Sequence, residues 1–309
     1  MMRRAQPGVP GSDNLEAGLV TASRRRHYAV RLDDGEMLLC LLKGRNTTLA
    51  CGDRVRIARI AGGGSIEAVE PRSTLFYRSD AFKEKLIAAN VTQVIGVVAP
   101  DLAVDEELVN RWIVAAEAQD CRFVLAANKA DKPDFAALLA RLEPFAALGY
   151  AVVALSARRD VAALLPWLHG HRTVLVGQSG MGKSTILNAI APHANAKTAE
   201  ISEALLTGRH TTSQSTLYPL SVDEGGGWIV DSPGLKVFGL GHIAPETIAH
   251  AFVEIRPLLG HCRFRDCQHD REPGCAVREA AARGEVAPHR VALMHRLVRE
   301  SAAVRDPAR

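Results

Sequence analysis

In this chain of 309 residues the segment GQSGMGKST, Gly177 to Thr185, stands after the segment NKAD, Asn128 to Asp131, and that order constrains the fold most. GQSGMGKST follows the apolar run VLV and opens a stretch with helical spacing, which is the context of a phosphate-binding loop. In such a loop the backbone N–H groups of Gly177, Gln178, Ser179, Gly180, Met181 and Gly182 turn inward around a phosphate. Lys183 supplies a cation to the β- and γ-phosphates, Ser184 offers a hydroxyl to Mg²⁺, and Thr185 follows into the helix. NKAD follows the apolar run FVLAA, at the edge where open α/β sheets bind ligands. Asp131 can accept from both the N1–H and the exocyclic amine of guanine, a donor pair that adenine lacks. Asn128 would fix the loop, the Lys129 stem would pack along the base, and Ala130 lies between Lys129 and Asp131.

Three further segments belong to the same chemistry. Ser156-Ala157 follows another apolar run and would bring a backbone N–H to the guanine carbonyl. GRHTT, Gly208 to Thr212, offers Thr211 or Thr212 to complete a magnesium shell, with Thr212 favoured. DSPG, Asp231 to Gly234, follows the run WIV; Asp231 would hold Mg²⁺ through water and the Gly234 N–H would meet the γ-phosphate. A guanine-nucleotide domain ordinarily begins with its phosphate loop and ends with its base-reading segments. Here the second half precedes the first, so the expected domain is circularly permuted. The residue after DSPG is Leu235, which can neither donate nor accept a hydrogen bond, so another group must orient the attacking water. His210 is the nearest candidate.

Around this domain the texture of the sequence changes twice. Residues 1–13 read as a flexible tail, and 14–76 carry short alternating runs (GLVTAS, HYAVRL, EMLLCLL, RVRIARI, SIEAVE) separated by Gly- and Asp-containing turns. Five short strands without a helical period predict a small β-barrel of the OB type, although an SH3-like barrel fits the same pattern. Residues 77–242 alternate buried strands with helices, as in a parallel sheet covered on both faces. Helices are expected over 105–119, 135–148, 245–259 and 288–299, and strands over 91–99, 123–127, 151–155, 174–176 and 228–230. On the last helix Val291, Met294, Leu297 and Val298 share a face, with Arg290, Arg296 and Arg299 off it. The fold class is therefore multidomain α/β, with a C-terminal helical segment over 243–309.

That last segment contains Cys262-x4-Cys267-x-His269-x5-Cys275. Three thiolates and one imidazole suit a closed, tetrahedral, structural Zn²⁺ site with no open position for a catalytic water. Of the six cysteines, the other three (Cys40, Cys51, Cys121) lie singly in apolar runs and read as core residues in a reducing cytosol. A formal charge of +4 permits an RNA partner without demanding one. Local basic runs carry that expectation: Arg24-Arg25-Arg26 with Lys43 and Arg45 in the barrel, and Arg263, Arg265 and Arg271 about the knuckle. No run of about 18 apolar residues exists, so no spanning helix is expected. The N-terminus lacks the apolar core of a signal peptide, and no oligomer seam is visible, which leaves a cytoplasmic monomer as the expectation.

Taken together, the permuted order, GRHTT, DSPG, and the knuckle CRFRDCQHDREPGCAV resemble the circularly permuted ribosome small-subunit-dependent GTPase A family (RsgA, also called YjeQ). The resemblance implies a late assembly factor that binds 16S rRNA of the small ribosomal subunit, carries one structural zinc, and hydrolyses GTP when stimulated by that subunit. The barrel segment LKGRNTTLACGDRV is less basic than the resemblance implies. Two other classes remain to be separated from it: a phosphate-loop kinase or ATPase, which would bind ATP and GTP alike, and a zinc/OB binding module without turnover.

Overall fold

The computed structural model describes residues 15–24, 27–43, 48–80, 83–192, 215–220, 226–231 and 238–305. Strands β1 (Glu16–Arg24), β2 (His27–Leu32), β3 (Met37–Leu42), β4 (Arg54–Ile60) and β5 (Gly63–Val69) close a barrel in the order β1-β2-β3-β5-β4-β1. Its pairs are antiparallel except β3 with β5. The period-2 pattern explains the closure: Val20, Val30, Cys40, Val55, Ile57 and Ile66 point inward and are fully buried, forming a core separate from the rest.

A hairpin of β6 (Leu75–Asp80) and β7 (Lys83–Ala89) follows the barrel. It is absent from the elements expected of the sequence, because its strands are short and charge-tipped and a bulge between Phe76 and Tyr77 breaks their alternation. The hairpin fastens the chain beyond DSPG. Phe76 stacks on Phe238 at 4.9 Å, Tyr77 on His242 at 4.4 Å, and the Gly239 N–H donates to the Tyr77 carbonyl at 3.0 Å.

The nucleotide domain comprises β8 (Gln93–Val98), α1 (Glu106–Glu117), β9 (Arg122–Ala127), α2 (Phe135–Ala147), β10 (Ala151–Ala154), α3 (Leu165–Leu168), β11 (Arg172–Val176), α4 (Lys183–Ile190), β12 (Thr216–Pro219) and β13 (Trp228–Asp231). Its sheet runs β10-β9-β8-β11-β13-β12, parallel except for β12. All of β8 is buried because alternate residues serve opposite faces: Val94 and Val98 pack with α1 and α2, and Ile95 and Val97 with α3 and α4. The chain enters at β8, in the middle of the sheet, and reaches the phosphate loop only after β11. That is the permuted connectivity.

The barrel and this sheet are continuous, since β1 pairs with β12 at Ala22 and Thr216. The Cys51 thiol seals the junction by donating to the Ser215 carbonyl at 2.9 Å.

Beyond the sheet lie α5 (Pro245–His250), α6 (Ala276–Ala282) and α7 (Pro288–Arg305). The helix expected over 245–259 stops at His250; the chain then passes through tight turns, with Pro257 lacking a donor, so that Phe252 and Ile255 can be fully buried. A second correction concerns Arg290. It lies off the apolar face by spacing, yet it is buried, with Nε 2.5 Å from Glu254 Oε1, its guanidinium 4.7 Å over Phe252, and a bond to Asn110 of α1. These helices share one hydrophobic core with α1 and α2.

Candidate nucleotide site and metal centre

The carboxyl ends of β8, β9, β10, β11 and β13 meet around a cleft of about 520 Å³ lined by Asn128, Lys129, Asp131, Ser156, Ala157, Ser179, Gly180, Gly182, Lys183, Ser184, Thr185 and Asp231. The base-reading and phosphate-binding segments, 51 residues apart by the Lys129–Gly180 separation, are tied by side chains. Asn128 is buried; its Nδ2 donates to the Met181 carbonyl at 2.9 Å and its Oδ1 accepts from the Ala157 N–H at 3.0 Å. One amide thus joins three loops. The Ala157 N–H, in the pair expected to bring a backbone N–H to the guanine carbonyl, is engaged in this internal bond. Gly182 starts α4 at φ +98°, and a Cβ there would lie 2.2 Å from Asn128 Nδ2, so the approach requires glycine.

Lys129 adopts a left-handed backbone, φ 65°, uncommon for a non-glycine residue and sustained by its fixed side chain. Its ammonium donates to the Gly180 carbonyl at 2.7 Å and pairs with Asp101 at 3.0 Å. Ala130 N–H donates to the Leu155 carbonyl at 3.0 Å, holding the loop against the end of β10. Asp131 accepts from the Ser156 hydroxyl at 2.5 Å, and this bond holds its carboxyl below the usual range, ionised and ready to accept. Lys183 lies back over its own loop, its Nζ donating to the Gly177 and Gln178 carbonyls at 2.5 and 2.9 Å. Met181 is buried beneath the loop. Burial raises the Asp231 pKa, and the cation of Lys183 opposes that rise. The Ser184 hydroxyl and Asp231 carboxylate are hard oxygen donors in the same cleft, a set that fits Mg²⁺. His210, Thr212 and Gly234 lie outside the described residues.

Asp101 also lines the cleft, and the motifs do not disclose it. Its signal is positional: an acidic residue just beyond the end of β8, at the edge of the sheet where ligands bind. Lys129 holds its carboxyl below the ordinary range.

In the C-terminal segment the donor atoms of Cys262, Cys267, His269 and Cys275 all lie within 4.8 Å of one another. Cys262 Sγ and Cys275 Sγ are 3.9 Å apart and stand 3.4 and 3.5 Å from His269 Nδ1. Ligands about 2.0–2.3 Å from a central ion would have edges of this length, so the cluster is compatible with tetrahedral zinc. His269 takes a left-handed turn, φ 62°, to enter the cluster. The Glu272 carboxylate accepts from the N–H groups of Gln268, Asp270 and Arg271 at 2.9, 2.9 and 3.0 Å, which brings its pKa down to about 2 and braces the knuckle.

The family model for the RsgA GTPase matches residues 69–241. The chain belongs to the RsgA GTPase family. A "Small ribosomal subunit biogenesis GTPase RsgA" of Nitrosospira multiformis is 47% identical over 284 residues, covering 91% of this chain and 90% of the relative. One from Burkholderia pseudomallei is 45% identical over 307 residues, covering 97% and 96%. Among solved structures, YjeQ from Thermotoga maritima superposes with a TM-score of 0.69 at 31% identity, covering 93% of this chain and 99% of that one. YloQ, a circularly permuted GTPase, gives 0.68 at 23% identity over 96% and 98%, a likeness of fold. Membership in the RsgA GTPase family carries GTP hydrolysis, with Mg²⁺ accompanying GTP. Among the described residues no helix is long and apolar enough to cross a membrane.

Proposed function

We propose that this chain is a cytoplasmic, monomeric GTPase that serves late maturation of the small ribosomal subunit, binds the 16S rRNA of that subunit, and hydrolyses GTP faster when bound to it. The observation that carries the chemical half is the Asn128 amide, which brings the guanine-reading loop and the phosphate loop to one cleft. The biological half is supported by near full-length identity to relatives named for small-subunit biogenesis.

In this reading Asp131 accepts the N1–H and amine of guanine, with Ser156 holding its orientation. Lys129, fixed between Asp101 and Gly180, forms the wall along the base. The loop from Gly177 to Thr185 wraps the phosphates, and Lys183 turns from its own loop carbonyls to the β- and γ-oxygens. Ser184, Thr212 and Asp231 would hold Mg²⁺, which would supply neutralisation of the negative charge on the phosphates. The Gly234 N–H meets the γ-phosphate, and His210 orients water where Leu235 cannot. Cys262, Cys267, His269 and Cys275 hold one structural Zn²⁺.

The deciding measurement is GTP turnover with and without purified small subunits, alongside ATP as a control. Turnover is expected to be slow alone and to rise at least tenfold with subunits. Equal rates in both would refute the ribosomal reading, and equal use of ATP would refute the guanine assignment.

A further inference from the structure

Lys129 is held from outside the nucleotide motifs. Its ammonium stands 3.0 Å from Asp101 Oδ2 as well as 2.7 Å from the Gly180 carbonyl. Asp101 sits in the turn that follows β8, whereas Gly180 belongs to the phosphate loop after β11. Three separate stretches of chain therefore meet at one nitrogen. The two anchors are unequal, because a carboxylate makes a charge-assisted bond about twice as strong as that of a neutral carbonyl. A long flexible stem tied at a single weak point keeps most of its rotamer freedom, and two ties in different directions remove it. The left-handed backbone of Lys129, φ 65°, likewise needs surroundings that fix it.

The cleft offers that ammonium a second carboxylate, Asp131, two residues further along the chain. A cation drawn onto the Asp131 oxygens would occupy acceptor positions that guanine needs for its two donors. The structure keeps the two apart. Asp131 accepts from the Ser156 hydroxyl at 2.5 Å, and the cations that act on it are Arg159 and Lys132. The charge of Lys129 acts on Asp101, where Lys132 contributes only at a distance. Asp101 also takes a bond from its own backbone N–H, which sets the carboxylate towards Lys129. The Lys129 and Asp101 side chains are 25% and 40% exposed, so their pairing does little for the stability of the fold and acts chiefly on where the ammonium lies.

We propose that Asp101 is a positioning residue for the guanine nucleotide: it draws the Lys129 ammonium to the β8 side of the cleft, which holds the stem where the base lies and leaves Asp131 free to accept from guanine. The proposal rests on the nucleotide reading of the cleft given above. Asp101 acts at the base end, so it serves GDP and GTP alike and leaves the step at the γ-phosphate to other groups.

The test measures affinity and release of a fluorescent methylanthraniloyl GDP, together with KM and kcat for GTP, on the full chain with Mg²⁺. Asp101→Asn keeps the shape and removes the charge. It is expected to weaken both nucleotides about two- to fivefold, to raise KM by the same factor, to speed GDP release, and to keep kcat. Asp101→Glu, which restores the charge, should recover most of the loss. Lys129→Met keeps the stem without the ammonium, and in that background Asp101→Asn should add nothing further. A variant that had merely lost structure would melt earlier without nucleotide, lose kcat as well, and show the same defect in both backgrounds. A change below about 1.5-fold for Asp101→Asn would overturn the proposal. An equal loss with and without the Lys129 ammonium would overturn it too, since the carboxylate would then act by itself. If Lys129→Met and Asp131→Asn both left guanine-nucleotide affinity intact, the reading of the cleft would fall and this proposal with it.

Discussion

Asp131 is poised by one neighbour, and that makes its replacement informative. With the Ser156 hydroxyl on one oxygen, the carboxylate keeps acceptor capacity for the two donors of guanine. Hydrogen bonds to a charged group contribute about 1.5–3 kcal/mol each, so Asp131→Asn is expected to lower GTP affinity roughly 100- to 10,000-fold. Xanthosine triphosphate, which presents a carbonyl where guanine has its amine, should gain affinity from the new amide donor. Titration calorimetry with both nucleotides checks the exchange; unaltered GTP affinity would remove Asp131 from base recognition. Asp231 is placed differently. Burial raises its folded pKa above the ordinary 3.8, so the fold favours the protonated form. Its stabilising contribution is therefore complete below pH 3.8 and lost as pH rises through the folded value. In the absence of magnesium and nucleotide, Asp231→Asn is expected to raise the melting temperature at neutral pH, with the gain shrinking on acidification towards pH 3.8. The same variant should lose magnesium-dependent GTP binding. A melting temperature that falls at neutral pH would contradict the burial argument.

At the scale of elements, α1 is the seam between nucleotide domain and C-terminal helices. Arg290 of α7 reaches Asn110, Arg111 pairs with Glu300 at 2.6 Å, and Arg296 pairs with Glu107 at 2.8 Å. The exposed pairs contribute little, but Arg290 is buried and Glu254 largely shielded beside it, and removing one charge strands the other. Arg290→Ala is expected to cost about 3–5 kcal/mol in chemical denaturation, with Arg290→Met/Glu254→Leu recovering much of it. A double variant as unstable as the single would show that packing on Phe252, and not charge pairing, dominates. These contacts also explain what the sequence could and could not disclose. VIGVVA and FVLAA are legible as strands because burial on both faces leaves no polar position to confuse the period. The knuckle is legible because ligand chemistry fixes its spacing. Arg290 is illegible because its burial depends on Glu254 and on Asn110, 36 and 180 residues away, which no local period records. β12, reading TLYP, and the β6–β7 hairpin are hidden for a related reason: each is short and takes its stability from neighbours distant in the chain.

For the molecule as a whole, membership of the family is written in the motif order and the knuckle, whereas the joining of the domains is not. Permutation places the new N-terminal barrel against β12, the outermost strand of the nucleotide sheet, through Ala22 and Thr216 and the Cys51–Ser215 bond. An edge strand offers unpaired backbone groups to any passing chain, and proteins suppress that hazard by covering the edge. The barrel is such a cover. A chain shortened to begin after Val69 is expected to retain the nucleotide cleft yet to self-associate, which a single monomer peak in sedimentation velocity would contradict. Severing the barrel thus bares a sticky flank as well as deleting a binding module. Solubility, an attribute seldom credited to a binding domain, is part of what the β1–β12 seam confers.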